Sequence, residues 1–319
     1  MFPHRVLPYL LILLGFVSVA GAAGRELGPR GGGATSYGVR RPLTAYAGGR
    51  FLTVWRESMG WIGDSLMGAL SDGTGKRISS IAFPIQGAHG YPVQIVGTGD
   101  GFAMFELTSG HQSHLTRLDL EGRVTSTRPL ALPFFVNMRA AWNGTRFLVA
   151  MRRSDGPPYR AEAILLDRDG TIVEGPFVLR DDAQNFAILP SAEGFTLIAT
   201  GFSAVFAHRV TNEGATTEHL IEGNSGTMSP WSPAVATTAD EDMIAVWSHG
   251  SYMQSQIRSA VLTGDGTVRD ARVLVDLPTS PVTALELMRA GDTHVLVYKS
   301  YEGVVATLRL GASAPLIVS

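Results

Sequence analysis

The sequence contains no cysteine. Structural disulfides, thiolate metal sites and cysteine nucleophiles are therefore excluded. A chain of 319 residues without a thiol suits the cell envelope or the extracellular space, where a free thiol is an oxidation liability.

Charge is also scarce. Only 17% of the residues are charged, the 26 Lys and Arg nearly balance the 28 Asp and Glu, and no basic run occurs. Electrostatic capture of nucleic acid or of an anionic membrane surface is therefore not expected. The 45% of hydrophobic residues are sufficient for a buried core.

Long apolar runs are missing except near the N-terminus. Residues 1–5 include a positive charge, residues 6–19 are almost wholly apolar, and Ala20-Gly21-Ala22 supplies small residues for cleavage. This order predicts a signal peptide over residues 1–22. The alternative is an uncleaved anchor, but the apolar stretch is short for a spanning helix. We therefore expect a secreted or periplasmic protein with no stable membrane insertion after cleavage.

Sustained helical periodicity is absent, and three landmarks recur instead. A short apolar strand begins at intervals of 45 to 51 residues, at Phe51, Phe102, Phe147, Phe195, Met243 and His294. An earlier strand precedes each copy, beginning at Pro42, Pro92, Met138, Phe186, Pro233 and Val282. A third strand ends in a glycine turn, at Gly73, Gly122, Gly170, Gly214, Gly266 and Gly311, and a fourth follows, as in residues 78–85 and 269–276.

Short β-branched and aromatic runs between turn residues are typical of strands joined by hairpins. Four strands in about 48 residues, repeated six times, predict an all-β, six-bladed β-propeller of four-stranded antiparallel blades over residues 41–319. Residues 23–40 form a Gly-rich linker, of which residues 34–39 could alternatively pair with a blade. Trp55 and Trp247 occupy equivalent positions in two units, and we expect both to be buried.

The repeat resembles those of bacterial secreted β-propeller repeat proteins. The first unit carries the resemblance through Pro42, Ala45, Gly48, Phe51, Leu52, Val54, Trp55 and Gly73, and the fifth through Pro233, Ala236, Val246, Trp247, Asp265 and Gly266. The fourth unit lacks both the proline and the tryptophan. The resemblance covers nearly all of the predicted mature chain and implies the fold, but it carries over no functional residues.

Two segments suggest metal chemistry, and both have a simpler explanation. His111 and His114 lack a third zinc ligand with suitable spacing. The Asp167-Arg168-Asp169-Gly170 segment begins like a calcium loop but lacks the later bidentate Glu, and a repeated hairpin turn explains it better. No nucleophile elbow or HExxH motif is present. We therefore predict no catalytic residue, no metal site and no cofactor.

Aromatic residues collect in the loops between the second and third strands and between blades. These loops are longer than the tight hairpins at the opposite end, and loops of this kind carry recognition in many proteins. Stacking on a sugar or gripping a peptide suits such residues, whereas packing onto neighbouring blades is the alternative. The candidate ligand-binding residues are Trp61, Tyr159, Trp231 and Tyr252.

The preferred function is a non-enzymatic binding propeller, a monomer with a protein or glycan ligand on the rim of the blade-joining loops. One alternative is a propeller glycan hydrolase or lyase with acids near the central channel. Another is a structural or assembly module without a small ligand. The fold alone does not decide among these three functions. Acids and histidines that converge inside the channel would favour the enzyme.

Overall fold

The structure is a computed structural model. It describes residues 42–58, 64–78, 83–88, 90–108, 110–153, 160–202, 204–223, 229–238, 240–250, 255–277, 282–290, 293–300, 305–310 and 316–318. Over these ranges the chain is all-β, in six four-stranded antiparallel sheets that each follow chain order. Within the same ranges no helix has the length and hydrophobicity to cross a membrane. The prediction of an all-β chain of four-stranded antiparallel units is confirmed.

The strands fall into two compact units. Unit 1 runs to Leu132 and includes residues 169–171. Its first sheet contains β1 (Leu43–Ala47), β2 (Arg50–Ser58), β3 (Asp64–Asp72) and β4 (Phe83–Pro84). Its second sheet contains β5 (Tyr91–Gly97), β6 (Phe102–Leu107), β7 (Ser113–Leu118) and β8 (Val124–Leu130).

Unit 2 comprises residues 133–168 and the chain from residue 172 onward, with four sheets. The third sheet contains β9 (Phe135–Trp142), β10 (Phe147–Arg153), β11 (Ala161–Leu166) and β12 (Ile172–Arg180). The fourth contains β13 (Ala183–Ser191), β14 (Gly194–Gly201), β15 (Ala204–Thr211) and β16 (Thr216–Gly223). The fifth contains β17 (Ser229–Thr237), β18 (Met243–Gly250), β19 (Ser255–Leu262) and β20 (Val268–Leu277). The sixth contains β21 (Val282–Ala290), β22 (Thr293–Ser300), β23 (Val305–Leu310) and β24 (Leu316–Val318).

The turns between third and fourth strands show why glycine recurs there. Gly122, Gly214 and Gly266 have φ of +78°, +87° and +88°, a conformation that glycine adopts without steric cost. In the second sheet, Oδ1 of Asp119 accepts hydrogen bonds from the backbone N–H of Glu121 and Arg123, at 2.9 and 2.8 Å. This side chain thus closes the turn, which supports the hairpin interpretation of the repeated Asp-Gly segments.

The first sheet departs from the expected pattern in two ways. Its positive-φ turn glycine is Gly75, with φ +84°, rather than the predicted landmark Gly73. Oδ1 of Asp72 accepts from the N–H groups of Thr74 and Lys76, the same pattern that Asp119 makes in the second sheet, and in both turns the positive-φ glycine follows the aspartate by three positions. The fourth strand, expected over residues 78–85, is the two-residue β4, and residues 79–82 lie outside the described residues.

Apolar side chains fill the layers between consecutive sheets within each unit. In unit 2, Ile198 and Val205 of the fourth sheet pack with Ala245 and Trp247 of the fifth. Trp247 is 1% exposed and Trp55, in the first sheet, is 8% exposed. Both tryptophans are buried, as predicted. A single four-stranded sheet could not bury both of its faces, and stacking supplies the missing cover.

Candidate functional site

The predicted ligand-binding residues belong to one end of the sheets. We call it the connecting end, where the loop from the second to the third strand and the link to the next sheet both lie. Of the four predicted ligand-binding residues, Trp61, Tyr159 and Tyr252 fall outside the described residues. Trp231 is described, and it lies inside strand β17 rather than in the preceding loop. Because it is the third residue of that strand, it still lies at the connecting end of the fifth sheet.

Trp231 forms an exposed aromatic pair with Phe202. The ring centroids are 6.4 Å apart and the planes meet at 86°, an edge-to-face arrangement that aromatic rings favour. Trp231 is 38% exposed and Phe202, which follows β14, is 54% exposed. The pair therefore bridges the connecting ends of the fourth and fifth sheets and presents apolar surface to solvent.

A polar cluster joins the same two sheets. Glu222, near the end of β16, forms an ion pair with Arg258 of β19. Its Oε2 accepts a hydrogen bond of 2.9 Å from Nε1 of Trp247 and lies 3.7 Å from Nδ1 of His249. Nη1 of Arg258 lies 3.4 Å from the same His249 nitrogen. One carboxylate thus links three side chains of the fifth sheet.

The aromatic pair and the polar cluster are neighbours through the backbone. Pro230 and Trp231 on β17 pair with His249 and Ser248 on β18. Oγ of Ser248 also donates a hydrogen bond of 3.2 Å to the carbonyl oxygen of Trp231. A register shift follows Trp231, and Ser232 has φ +41°. The start of β17, which includes Trp231, therefore has an irregular backbone conformation.

The sequence identified this region incompletely. Trp231 was recognised as an aromatic residue of the rim, whereas Phe202, Glu222 and Arg258 were not. Phe202 was detectable in principle, because a bulky aromatic residue stands between Gly201 and Ser203 where a polar loop is expected. Glu222 and Arg258 are 36 positions apart, and only the packing of one sheet on the next brings them together.

Two further features lie outside this region. In unit 1, the guanidinium carbon of Arg56 sits 3.7 Å from the ring centroid of Tyr91, a cation–π contact at the start of β5. At the opposite, hairpin end of the first sheet, Tyr46 is 54% exposed and its ring lies 4.8 Å from that of Phe51. Exposed aromatic surface is thus present at the hairpin end too, which the sequence did not predict.

The histidines at positions 111 and 114 are placed by the hairpin between β6 and β7. His111 is an exposed turn residue with φ +62°, and His114 lies on β7 opposite Glu106 of β6. Over the part of the chain that the structure describes, no three His, Asp or Glu side chains converge as metal ligands.

His208 on β15 has a strongly lowered pKa. Burial, the largest cause, together with the positive charges of Arg180 and His219, lowers this pKa from 6.5 to about 4. Glu218 acts the other way, because its carboxylate lies 3.6 Å from Nε2 and would favour the protonated ring. Burial is the larger effect, since His208 is only 4% exposed, whereas the Glu218 side chain is 41% exposed and its charge is screened by solvent. His208 is therefore neutral near pH 7.

We expect stability to fall on acidification because of His208. The folded-state pKa of about 4 lies below the unfolded value of 6.5, so the unfolded chain binds the proton more readily between these values. The free energy of unfolding should decrease as pH falls from 6.5 to 4, by at most about 3 kcal/mol from this residue. Urea unfolding of the wild type and of His208→Gln across this range measures the effect. The variant should show a shallower pH dependence, whereas the exposed-site control His111→Asn should keep the wild-type slope; equal slopes in all three would contradict the assignment.

The chain is similar in structure to several solved proteins, one of them a β-propeller domain. The β-propeller domain of the Trilobed protease from Pyrococcus furiosus matches with TM-score 0.55 and 10% identity, over 88% of this chain and 82% of that one. A triple-arginine mutant of AofleA from Arthrobotrys oligospora matches with TM-score 0.53 and 11% identity, over 88% and 87%. Prolyl oligopeptidase B from Galerina marginata matches with TM-score 0.58 and 9% identity, over 86% of this chain and 41% of that one.

No protein-family model and no curated protein sequence matches the chain. At identities of 9 to 11% the structural likenesses bear on the fold alone. Together with the repeated four-stranded antiparallel sheets, they show that this chain has a β-propeller fold.

Proposed function

We propose that this protein is a non-enzymatic binding propeller, secreted or periplasmic, with six blades formed by its six sheets. Its ligand, a glycan or a protein, binds at the connecting ends of the fourth and fifth sheets. The observation that carries this proposal is the exposed Phe202–Trp231 pair. Large aromatic side chains are costly to leave in water, and a pair of them in contact at a sheet end marks a binding surface.

The polar cluster beside the pair supports binding rather than catalysis. Hydrolysis of a glycosidic bond usually requires two carboxyl groups on either side of that bond. The cluster contributes one carboxylate, Glu222, which is engaged by Arg258, Trp247 and His249. A carboxylate with these partners suits packing between the two sheets or hydrogen bonding to a ligand.

The proposal includes the predicted signal peptide over residues 1–22 and the linker over residues 23–40. Six similar sheets of short strands are most economically arranged as one ring over residues 41–319, since a ring leaves each sheet covered on both faces. The first blade would then have a reduced outer strand, the two-residue β4.

A glycan array combined with pull-down from an envelope extract tests the function. Once a ligand is captured, Trp231→Ala and Phe202→Ala should each weaken binding by about tenfold or more, because central aromatic contacts dominate interface energetics. Tyr46→Ala is the matched control, since it removes an equally exposed aromatic ring from the hairpin end. If Trp231→Ala and Phe202→Ala keep full affinity while Tyr46→Ala loses it, the ligand binds at the hairpin end and the proposed location is wrong.

A further inference from the structure

The exposed aromatic pair at the connecting end is small, and its size restricts the ligand. With about half of each ring exposed, Phe202 and Trp231 offer on the order of 200 Å² of apolar surface. The other large apolar residues of these two sheets that are described as exposed, Leu220 and Val273, lie in the middle of outer strands. A standard protein–protein interface buries about 800 Å² on each partner, more than half of it apolar. The pair therefore suits a ligand of a few sugar rings better than a protein surface.

The arrangement of the two rings also suits a sugar. Their planes meet at 86°, so Phe202 and Trp231 form a corner with two apolar walls, which we call the aromatic corner. A pyranose ring carries carbon-bound hydrogens on its faces and hydroxyl groups around its rim. Its faces can pack on the apolar walls, but its hydroxyl groups then require polar partners beside the corner.

Such partners lie on the Trp231 side of the aromatic corner. The Glu222–Arg258 ion pair places carboxylate oxygens and guanidinium N–H groups side by side, and both side chains are partly exposed. The hydrogen bond of 2.9 Å from Nε1 of Trp247 also orients the carboxylate. A hydroxyl group is both a donor and an acceptor, so it is complementary to a pair that offers both functions.

A second ion-paired carboxylate lies on the Phe202 side. A Cβ on Gly201, the residue before Phe202, would be 2.7 Å from Oδ2 of Asp182. Oδ1 of Asp182 lies 3.2 Å from Nε of Arg180, and both side chains are partly exposed. Nη1 of Arg180 also lies 3.4 Å from Oε1 of Glu218. This group joins the third sheet to the fourth, whereas the polar cluster joins the fourth to the fifth.

The charges on both sides of the aromatic corner are thus matched within ion pairs. A charged ligand would have to replace an existing partner, whereas an uncharged ligand leaves both pairs intact. We propose that the connecting ends of the fourth and fifth sheets bind an uncharged oligosaccharide. One sugar ring packs in the aromatic corner, and hydroxyl groups along the chain contact the ion pairs on either side. Because packed sheets are about 10 Å apart, a ligand that contacts both pairs is longer than one sugar ring. This inference rests on the proposed function and specifies its ligand.

Calorimetric titration with linear hexasaccharides tests this inference. The uncharged probes are the hexamers of glucose, mannose, galactose, xylose and N-acetylglucosamine, and the charged probes are those of galacturonic acid and glucosamine. We expect an uncharged hexamer to bind at least about tenfold more tightly than either charged one. Its affinity should change by less than about twofold between about 0.05 and about 0.5 M NaCl, because salt screens only charge interactions. Tightest binding of a charged hexamer, or binding of none of the uncharged ones, would overturn the proposal.

Three variants locate the sugar. Trp231→Ala, Phe202→Ala and Glu222→Gln should each weaken binding of the uncharged hexamer by about tenfold. Asp242→Asn is the matched control for the charge change, because it removes a carboxylate that pairs with Arg269 at the hairpin end of the same fifth sheet. It should bind as the wild type does. Unchanged affinity in all three site variants would place the sugar elsewhere and refute the assignment.

Two outcomes separate this inference from the proposed function. If a protein from the envelope extract binds, Trp231→Ala and Phe202→Ala weaken it, and no hexamer binds, the sugar class is wrong while the binding function stands. If the uncharged hexamer binds and chromatography then shows shorter products, the sugar class stands while the non-enzymatic function is wrong.

Discussion

Replacing Trp247 by alanine is expected to lower the free energy of unfolding by about 3–5 kcal/mol, the usual cost of truncating a buried large aromatic residue. The side chain is 1% exposed and packs with Ile198, Val205 and Ala245 between the fourth and fifth sheets. The change also removes the indole N–H that donates to Glu222, which leaves a partly buried carboxylate with one fewer partner. Both effects act in the same direction.

Urea unfolding followed by far-ultraviolet circular dichroism measures this loss without relying on tryptophan fluorescence. Trp231→Ala is the matched control, because it removes the same side chain from the same sheet at a position in contact with solvent. It should cost less than about 1 kcal/mol. Trp55→Ala, in the first sheet, should resemble Trp247→Ala. A loss below about 1 kcal/mol for Trp247→Ala would mean that this residue is not part of the core.

The second large effect is expected for Gly97→Ala at the end of β5. A Cβ at this position would overlap the carbonyl oxygen of Tyr46 and lie 2.8 Å from its carbonyl carbon, on the adjacent strand β1. Backbone atoms cannot rotate away as a flexible side chain can, so the two strands must separate. We expect a loss of about 3 kcal/mol, at the upper end of the usual cost of overpacking.

Gly264→Ala provides the control for this substitution. A Cβ there meets no heavy atom within 4 Å, and its φ lies outside the left-handed region. The stability of this variant should stay within about 0.5 kcal/mol of the wild type. Thermal unfolding of both variants compares them directly. Equal midpoints for the two would show that β1 and β5 do not approach as closely at Gly97 as the structure has them.

Local pattern predicted the strands well. The copies that begin at Phe51, Phe102 and Phe147 each fall in the second strand of a sheet, because alternating apolar residues between glycine turns leave few other ways to bury them. The burial of Trp55 and Trp247 followed from their equivalent positions. The prediction placed the turn glycine of the first sheet at Gly73 rather than Gly75, since both glycines lie in one short segment and only the hydrogen bonds of Asp72 distinguish them.

The candidate site was harder to predict, because its parts come from different sheets. Phe202 and Trp231 meet only when the fourth sheet lies on the fifth, and the Glu222–Arg258 ion pair has the same origin. Local sequence pattern predicts the strands and turns within one repeat, whereas the contacts of this site form between neighbouring repeats that pack on each other.

The bridging position of the Phe202–Trp231 pair has a mechanical consequence. A ligand that contacts both rings stabilises the packing of the fourth sheet on the fifth, since it keeps both contacts only while the two sheets remain packed together. Ligand binding then protects both sheets at once by mass action, including the β14–β15 hairpin and the start of β17. When ligand is present, the amide hydrogens of both segments should exchange more slowly, because a ligand that contacts both sheets makes local opening of either one less favourable.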